Sequence, residues 1–124
     1  MKPTFKKAIK QIHQLNSLDK ASTEARMCKL MEEVGEFAQG INKTIGRKRR
    51  KPGETDLDIE QNILEEGVDT IQNVLCILDG RGHTYKKIVE RLLEKNQEWK
   101  KLIARVPHDA HDSKVLKSVK KIKR

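Results

Sequence analysis

Residues 54–80 carry eight acidic side chains and not one basic side chain. This stretch restricts the fold more than any other feature of the chain. Its apolar residues Ile59, Ile63, Val68, Ile71, Val74, Leu75, Ile77 and Leu78 recur at helical spacing and cover roughly half of a helix circumference. An arc that wide needs more than one neighbour to cover it. Glu66 falls at its edge, close in direction to Ile59 and Ile77. A charge buried there without a partner is costly, and the segment holds no base, so the partner must come from elsewhere. The bases are concentrated outside it. Residues 43–51 and residues 114–124 each hold six bases and no acid, and the whole chain has a formal charge of +9.

Four helical segments can be read, and no strand signal appears. The first spans about 3–16, with Phe5, Ala8, Ile9 and Ile12 at helical spacing and Pro3 suited to a first turn. The second spans about 21–45, with Ser22 or Thr23 as N-cap and Gly46 as its end. Its apolar stripe is Met27, Leu30, Met31, Val34, Phe37, Ala38 and Ile41. The third spans about 56–79, with Thr55-x-x-Asp58 resembling a capping box. The fourth spans about 84–105, with Thr84 as cap and Pro107 as its stop. The chain therefore reads as all-α, an antiparallel bundle of four main helices over residues 1–106 with a basic tail over 107–124 that is open to disorder or to a short amphipathic helix, its Val115, Leu116, Val119 and Ile122 falling near helical periods. Hydrophobic residues are only 35% of the 124, a thin core for a monomer, which favours an oligomer.

The second helix holds Glu32, Glu33 and Glu36 within one arc of about 100°. On the third, Glu66 and Asp69 are three apart and face the same way, with Asn73 continuing that line. Taken alone, the glutamates of helix two lie away from Met27, Val34 and Ile41 and read as a solvated face. Lys29 is spaced to pair with Glu33. If the two helices lie antiparallel, the five carboxylates converge. Two like charges about 4 Å apart repel by roughly 4 kcal/mol at an effective dielectric of about 20. Such a cluster needs cations between its members or raised carboxylate pKa values. Oxygen-only ligands suit Mg²⁺ or Mn²⁺ rather than zinc. A di-iron bundle requires Glu-x-x-His, and neither Glu36 nor Glu66 has a histidine three residues later.

EExxE on one helix followed by ExxD on the next resembles the signature of the MazG-like, all-α nucleoside triphosphate pyrophosphohydrolases. The matching residues are Glu32, Glu33, Glu36, Glu66 and Asp69, and the resemblance spans roughly residues 15–99. It implies a helical fold that forms homodimers or homotetramers. It implies Mg²⁺-dependent hydrolysis of a (deoxy)nucleoside triphosphate to the monophosphate and pyrophosphate, Mn²⁺ being a possible substitute. By position, Glu33, Glu36, Glu66 and Asp69 are the implied principal metal ligands. Glu32 is implied as a further ligand or as a group orienting the attacking water, so that Glu32 and Glu33 carry the catalytic assignment. Lys43 and Asn73 occupy positions suited to substrate contact. The loop after the EExxE helix offers Arg47, Arg49 and Arg50 as forked phosphate donors, although KRRK reads equally as a solvated or nucleic-acid-binding loop.

Two other functions compete with hydrolysis. One is a nucleic-acid-binding module using the basic loop and tail. The acidic centre argues against that as the main role, and so does the lack of a basic helix face interleaved with aromatics. The other is a non-catalytic interaction bundle whose carboxylates only dress a surface. No apolar run reaches 18 residues and the N-terminus lacks a secretory signal pattern, so a soluble, cytoplasmic protein with no membrane partner is expected. Cys28 and Cys76 sit in apolar-periodic segments and read as buried free thiols. His13 reads as a pocket or surface residue. His108, Asp109, His111 and Asp112 read as a polar tail with some capacity for adventitious metal. Phe37, Tyr85 and Trp99 read as core before stacking platforms.

Overall fold

Side-chain caps fix where the helices begin. Thr4 accepts from Lys7 N, Ser22 from Ala25 N and Thr55 from Asp58 N, each at 3.1 Å. Asp58 completes a capping box by accepting from Thr55 N at 2.9 Å, so aspartate serves at the position where glutamate is usual. The hydrogen bonds from Thr55 hold the Asp58 carboxyl below its ordinary range.

The computed structural model describes residues 2–105 and 113–122. It contains α1 (Phe5–Leu18), α2 (Thr23–Thr44), α3 (Asp56–Gly80), α4 (Tyr85–Arg105) and α5 (Ser113–Lys120), and no strand among the described residues. The four expected helices are all present. Pro3 lies ahead of the Thr4 cap rather than in a first turn, and part of the basic tail forms a fifth helix. Pro107 and the His108 to Asp112 cluster lie outside the described residues. Gly46, with φ 75°, follows α2, and Gly82, with φ 86°, follows α3. No described helix is long and apolar enough to cross a membrane.

The chain divides into two compact units, Met1–His83 and Thr84–Arg124. In the first, α2 and α3 form an antiparallel hairpin and α1 packs on α3. Two glycines set the closeness of the hairpin. A Cβ on Gly40 would stand 2.8 Å from Ile63 Cγ1, and one on Gly67 would stand 3.2 Å from Phe37 Cε2. At the other end of α3, Asn16 Nδ2 of α1 donates to Cys76 O at 3.0 Å and to Asp79 Oδ2 at 2.8 Å. His13 Nδ1 meets Asp79 Oδ1 at 2.6 Å. The Asn16 and His13 bonds hold the Asp79 carboxyl below its ordinary range. In the second unit, α4 and α5 pack together and Val119 is buried.

Read alone, α2 has its apolar stripe inward and its glutamates in solvent; the structure instead buries Glu33, as convergence with α3 requires, keeps Glu32 exposed, and leaves only Leu30 and Phe37 of the stripe partly covered. Glu33 is buried, 3% exposed, while Met31 is 71% exposed, and Met27, Val34 and Ile41 are exposed with it. The face of α2 against α3 is Glu33, Phe37, Gly40 and Lys43, spaced by three or four residues. Periodicity locates two opposite faces on a helix but does not say which one meets its neighbour, and here the glycine decides. Cys28, expected to be buried, is exposed, and Cys76 is half-buried. Burial raises the Cys76 thiol pKa.

The Gly40 crossing yields the first prediction. Gly40→Val drives a branched side chain into Ile63, whose own χ1 is stiff in a helix. Overpacking of this kind costs about 1–3 kcal/mol. A lowered urea midpoint is therefore expected, and an unchanged midpoint contradicts the close approach.

Candidate metal and phosphate site

The hairpin brings Glu33 of α2 beside Glu66 and Asp69 of α3. One carboxylate oxygen from each lies within 4.8 Å of the other two. Glu33 Oε1 accepts from Lys29 Nζ at 2.9 Å, the i,i+4 pair expected from the sequence. Glu33 Oε2 and Glu66 Oε2 are buried and have no hydrogen-bond partner. Buried polar atoms are nearly always satisfied, so two unpartnered oxygens in one cluster call for a proton or a cation.

The titration of the pair follows from that geometry. The Glu66 carboxyl is pushed up to about 8, first by its interaction with Glu33, then by burial and by Glu36. Glu33 is held below the ordinary carboxylate range by Glu66 and by Lys29, against its burial. Glu33 is therefore the member that stays ionised, and Glu66 is the member that keeps its proton at neutral pH. Like charges at close range arrange themselves this way when no cation separates them.

A cavity of about 280 Å³ adjoins this cluster. Its acidic lining is Glu36 and Glu66 and its basic wall is Lys43, Lys48, Arg49 and Lys51, and Gln39 and Asn62 also line it. The loop between α2 and α3 is folded onto the hairpin to form the basic wall. Lys43 Nζ, 8% exposed, donates to Glu54 Oε1 and Oε2 at 2.9 and 3.0 Å. Glu54 Oε1 also accepts from Lys51 N at 3.1 Å. The Lys43 ammonium and then the Lys51 amide hold the Glu54 carboxyl below its ordinary range. Lys48 Nζ donates to Gln39 Oε1 at 2.8 Å.

The residues singled out from the sequence divide accordingly. Glu33, Glu66 and Asp69 come together, and Glu36 faces the adjoining cavity with Glu66. Glu32 is exposed, 3.6 Å from Lys29 Nζ, and stands outside the three-carboxylate group. Arg49 lines the cavity. Arg50 instead pairs with Asp56, and Arg47 is exposed and not in the cavity wall. Lys43 lines the cavity but is already paired with Glu54. Asn73 donates to Asp69 O at 3.0 Å and lines a second cavity with Asn16, Arg26, Gln72 and Cys76. Lys48 and Lys51 belong to the basic run 43–51 that reads as a phosphate clamp, although the sequence singles out only Lys43 and the arginines within it. Glu54 is an addition from the structure, and its only sequence signal is that it is the first acid after six bases.

A pH dependence follows from the Glu66 proton. Its folded pKa lies above the reference value of 4.5, so the folded state holds a proton that the unfolded chain releases between those values. Stability of the metal-free protein is then fully supported below about pH 4.5 and declines as pH rises toward about 8. The lowered carboxyls Glu33, Glu54, Asp58 and Asp79 act only at lower pH. Thermal melts from pH 5 to 8 in EDTA should show the decline in the wild type and lose most of it in Glu66→Gln. An equal decline in both proteins contradicts the assignment.

Comparison of the chain with protein-family models, with curated proteins and with solved structures gave no match.

Proposed function

We propose that the protein is a divalent-cation-dependent pyrophosphohydrolase that cleaves a (deoxy)nucleoside triphosphate to the monophosphate and pyrophosphate. The observation that carries this reading is the junction of two unlike sites on one hairpin. A buried carboxylate cluster with unpartnered oxygens shares Glu66 with a cavity that Lys48, Arg49 and Lys51 also line. A triphosphate with its cation needs that pairing of chemistries. The MazG-like resemblance of EExxE and ExxD supports the same reading.

Glu33, Glu66 and Asp69 would hold Mg²⁺ or Mn²⁺, because they offer hard oxygen donors only. When bound, the ion supplies charge neutralisation and a more acidic water. The chain does the rest. Lys48, Arg49 and Lys51 bind the outer phosphate oxygens from the basic wall. Glu66 would release its proton to solvent when the ion binds. Glu36, which lines the cavity with Glu66, would accept a proton from the attacking water as the bond to the departing pyrophosphate breaks. The work is positioning and electrostatics, as phosphoryl chemistry requires. The second cavity lies along α3 beyond Asp69. Its Asn16, Gln72 and Asn73 amides and its Leu15 and Leu18 walls suit a nucleobase.

The apolar faces turned away from the hairpin support assembly of copies. Leu57, Leu64, Val68 and Ile71 on α3 are exposed at spacings of seven, four and three, and Met27, Met31, Val34 and Ile41 are exposed on α2. A homodimer or homotetramer would cover this exposed seam.

Two experiments test the reading. Pyrophosphate release from a panel of (d)NTPs with Mg²⁺ should fall at least about 10²-fold in Glu36→Gln and in Asp69→Asn, the scale of a lost general base or ligand. Activity unchanged in both contradicts the site. Leu64→Glu with Val68→Glu should lower the mass seen in sedimentation to that of one chain, and an unchanged mass removes the seam from the interface.

A further inference from the structure

The basic tail is the feature that hydrolysis leaves unused. Thr84–Arg124 holds 13 of the 27 Lys and Arg and 5 of the 18 Asp and Glu, a net +8. Met1–His83 has 14 bases and 13 acids, a net +1. The positive charge of this protein therefore belongs almost wholly to the α4–α5 unit. Within α4 the acids are already engaged. Glu90 lies 3.9 Å from both Lys86 and Lys87, and Arg91 meets Glu94 at 3.0 Å and Glu98 at 3.3 Å.

The α5 helix contains no acid. Lys114, Lys117, Lys120 and the adjoining Lys121 fall within an arc of about 120° at 100° per residue, and all four are exposed. Val119 lies about opposite that arc and is buried. Lys100 Nζ of α4 donates to Ile122 O at 2.8 Å and ties down the end of α5. Val119 is thus turned inside the unit, and the four lysines are exposed on the opposite side of the helix. No ion pair joins any of the four lysines to an acid among the described residues.

We propose that this lysine row on α5 is a docking surface for the phosphate backbone of duplex nucleic acid, read without regard to sequence. Three residues of helix advance about 4.5 Å, so the row presents its ammonium groups over about 10 Å, against the dense charge of a duplex. Lysines on such a face position a protein on phosphates without reading bases. A single strand would call for aromatic platforms among the bases, and the arc holds none. A membrane surface would call for a free apolar face on α5, and among the described side chains of α5 the one apolar residue, Val119, is buried. The surface is separate from the carboxylate chemistry, and either reading stands or falls without the other.

The test is fluorescence anisotropy of the full chain with a labelled 20-base-pair duplex of mixed sequence. Four phosphate contacts predict a slope of log K on log salt of roughly −3.6, which is roughly a 10²-fold loss between 50 and 200 mM salt. The quadruple variant Lys114→Gln, Lys117→Gln, Lys120→Gln, Lys121→Gln should bind at least about tenfold more weakly at 50 mM and show a shallower slope. Its helix content by circular dichroism and its pyrophosphate release should equal the wild type. Two double variants, at Lys114 with Lys117 and at Lys120 with Lys121, should each give part of the loss, which keeps the test decisive if the quadruple variant misfolds. Unchanged affinity in these variants overturns the proposal. So does an equal loss from replacing Lys48, Arg49 and Lys51. Tighter binding to vesicles rich in phosphatidylserine than to the duplex at the same salt also overturns it, and would shift attention to exposed Trp99 and Leu102 of α4.

Discussion

The close crossing of α2 and α3 is the contact on which the site depends. Gly40 and Gly67 leave no Cβ between the helices, so Ile63 and Phe37 fill the space that two side chains would otherwise hold. That approach carries Glu33 into the interface beside Glu66 and Asp69. A wider spacing would let water reach each carboxylate and dissolve the conflict. At this spacing the conflict persists and has a chemical remedy: Glu66 keeps a proton, or a cation takes its place. Packing and site chemistry are therefore one arrangement, set by the absence of two methyl groups.

The loop from α2 to α3 is held by a related economy of charge. It carries most of a six-base run, and such a run left free would spread into solvent. The half-buried Glu54 joins the two ends of the run by accepting from the buried Lys43 ammonium and from the Lys51 amide. This clasp leaves Lys48, Arg49 and Lys51 on one wall of the cavity and sends Arg50 to Asp56. Lys43 thus reaches the site as the anchor of its basic wall rather than as a free ligand for phosphate.

Much of this was legible in the sequence, and the limits have physical causes. Caps and glycines marked the helix ends, as Ser22, the Thr55 to Asp58 box and Gly46 show. The pairing of Lys29 with Glu33 followed from i,i+4 spacing. The convergence of Glu33 with Glu66 and Asp69 followed from an antiparallel hairpin. The exposure of Met31 and Val34 did not follow, because hydrophobicity alone cannot reveal that most of the apolar stripe of α2 stays outside while a face holding Glu33 and Gly40 packs. Nor did spacing distinguish Arg49 from Arg47 and Arg50, since loop residues have no helical period and their directions are set by partners such as Glu54 and Asp56. The tail was open in the sequence to disorder or to a short amphipathic helix, and the structure has the helix, with Val119 buried inside its unit.

The central claim is that Glu33, Glu66 and Asp69 form a divalent-cation site whose metal-free form stores a proton on Glu66. Calorimetric titration of Mn²⁺ into the full chain at pH 7, in two buffers of different protonation enthalpy, reads both parts at once. With Glu66 titrating at about 8, binding should release about one proton per ion, as ligand deprotonation requires. That release should vanish in Glu66→Gln, with weakened affinity. Absence of binding, or binding of the same strength and proton count in wild type and Glu66→Gln, would contradict the account.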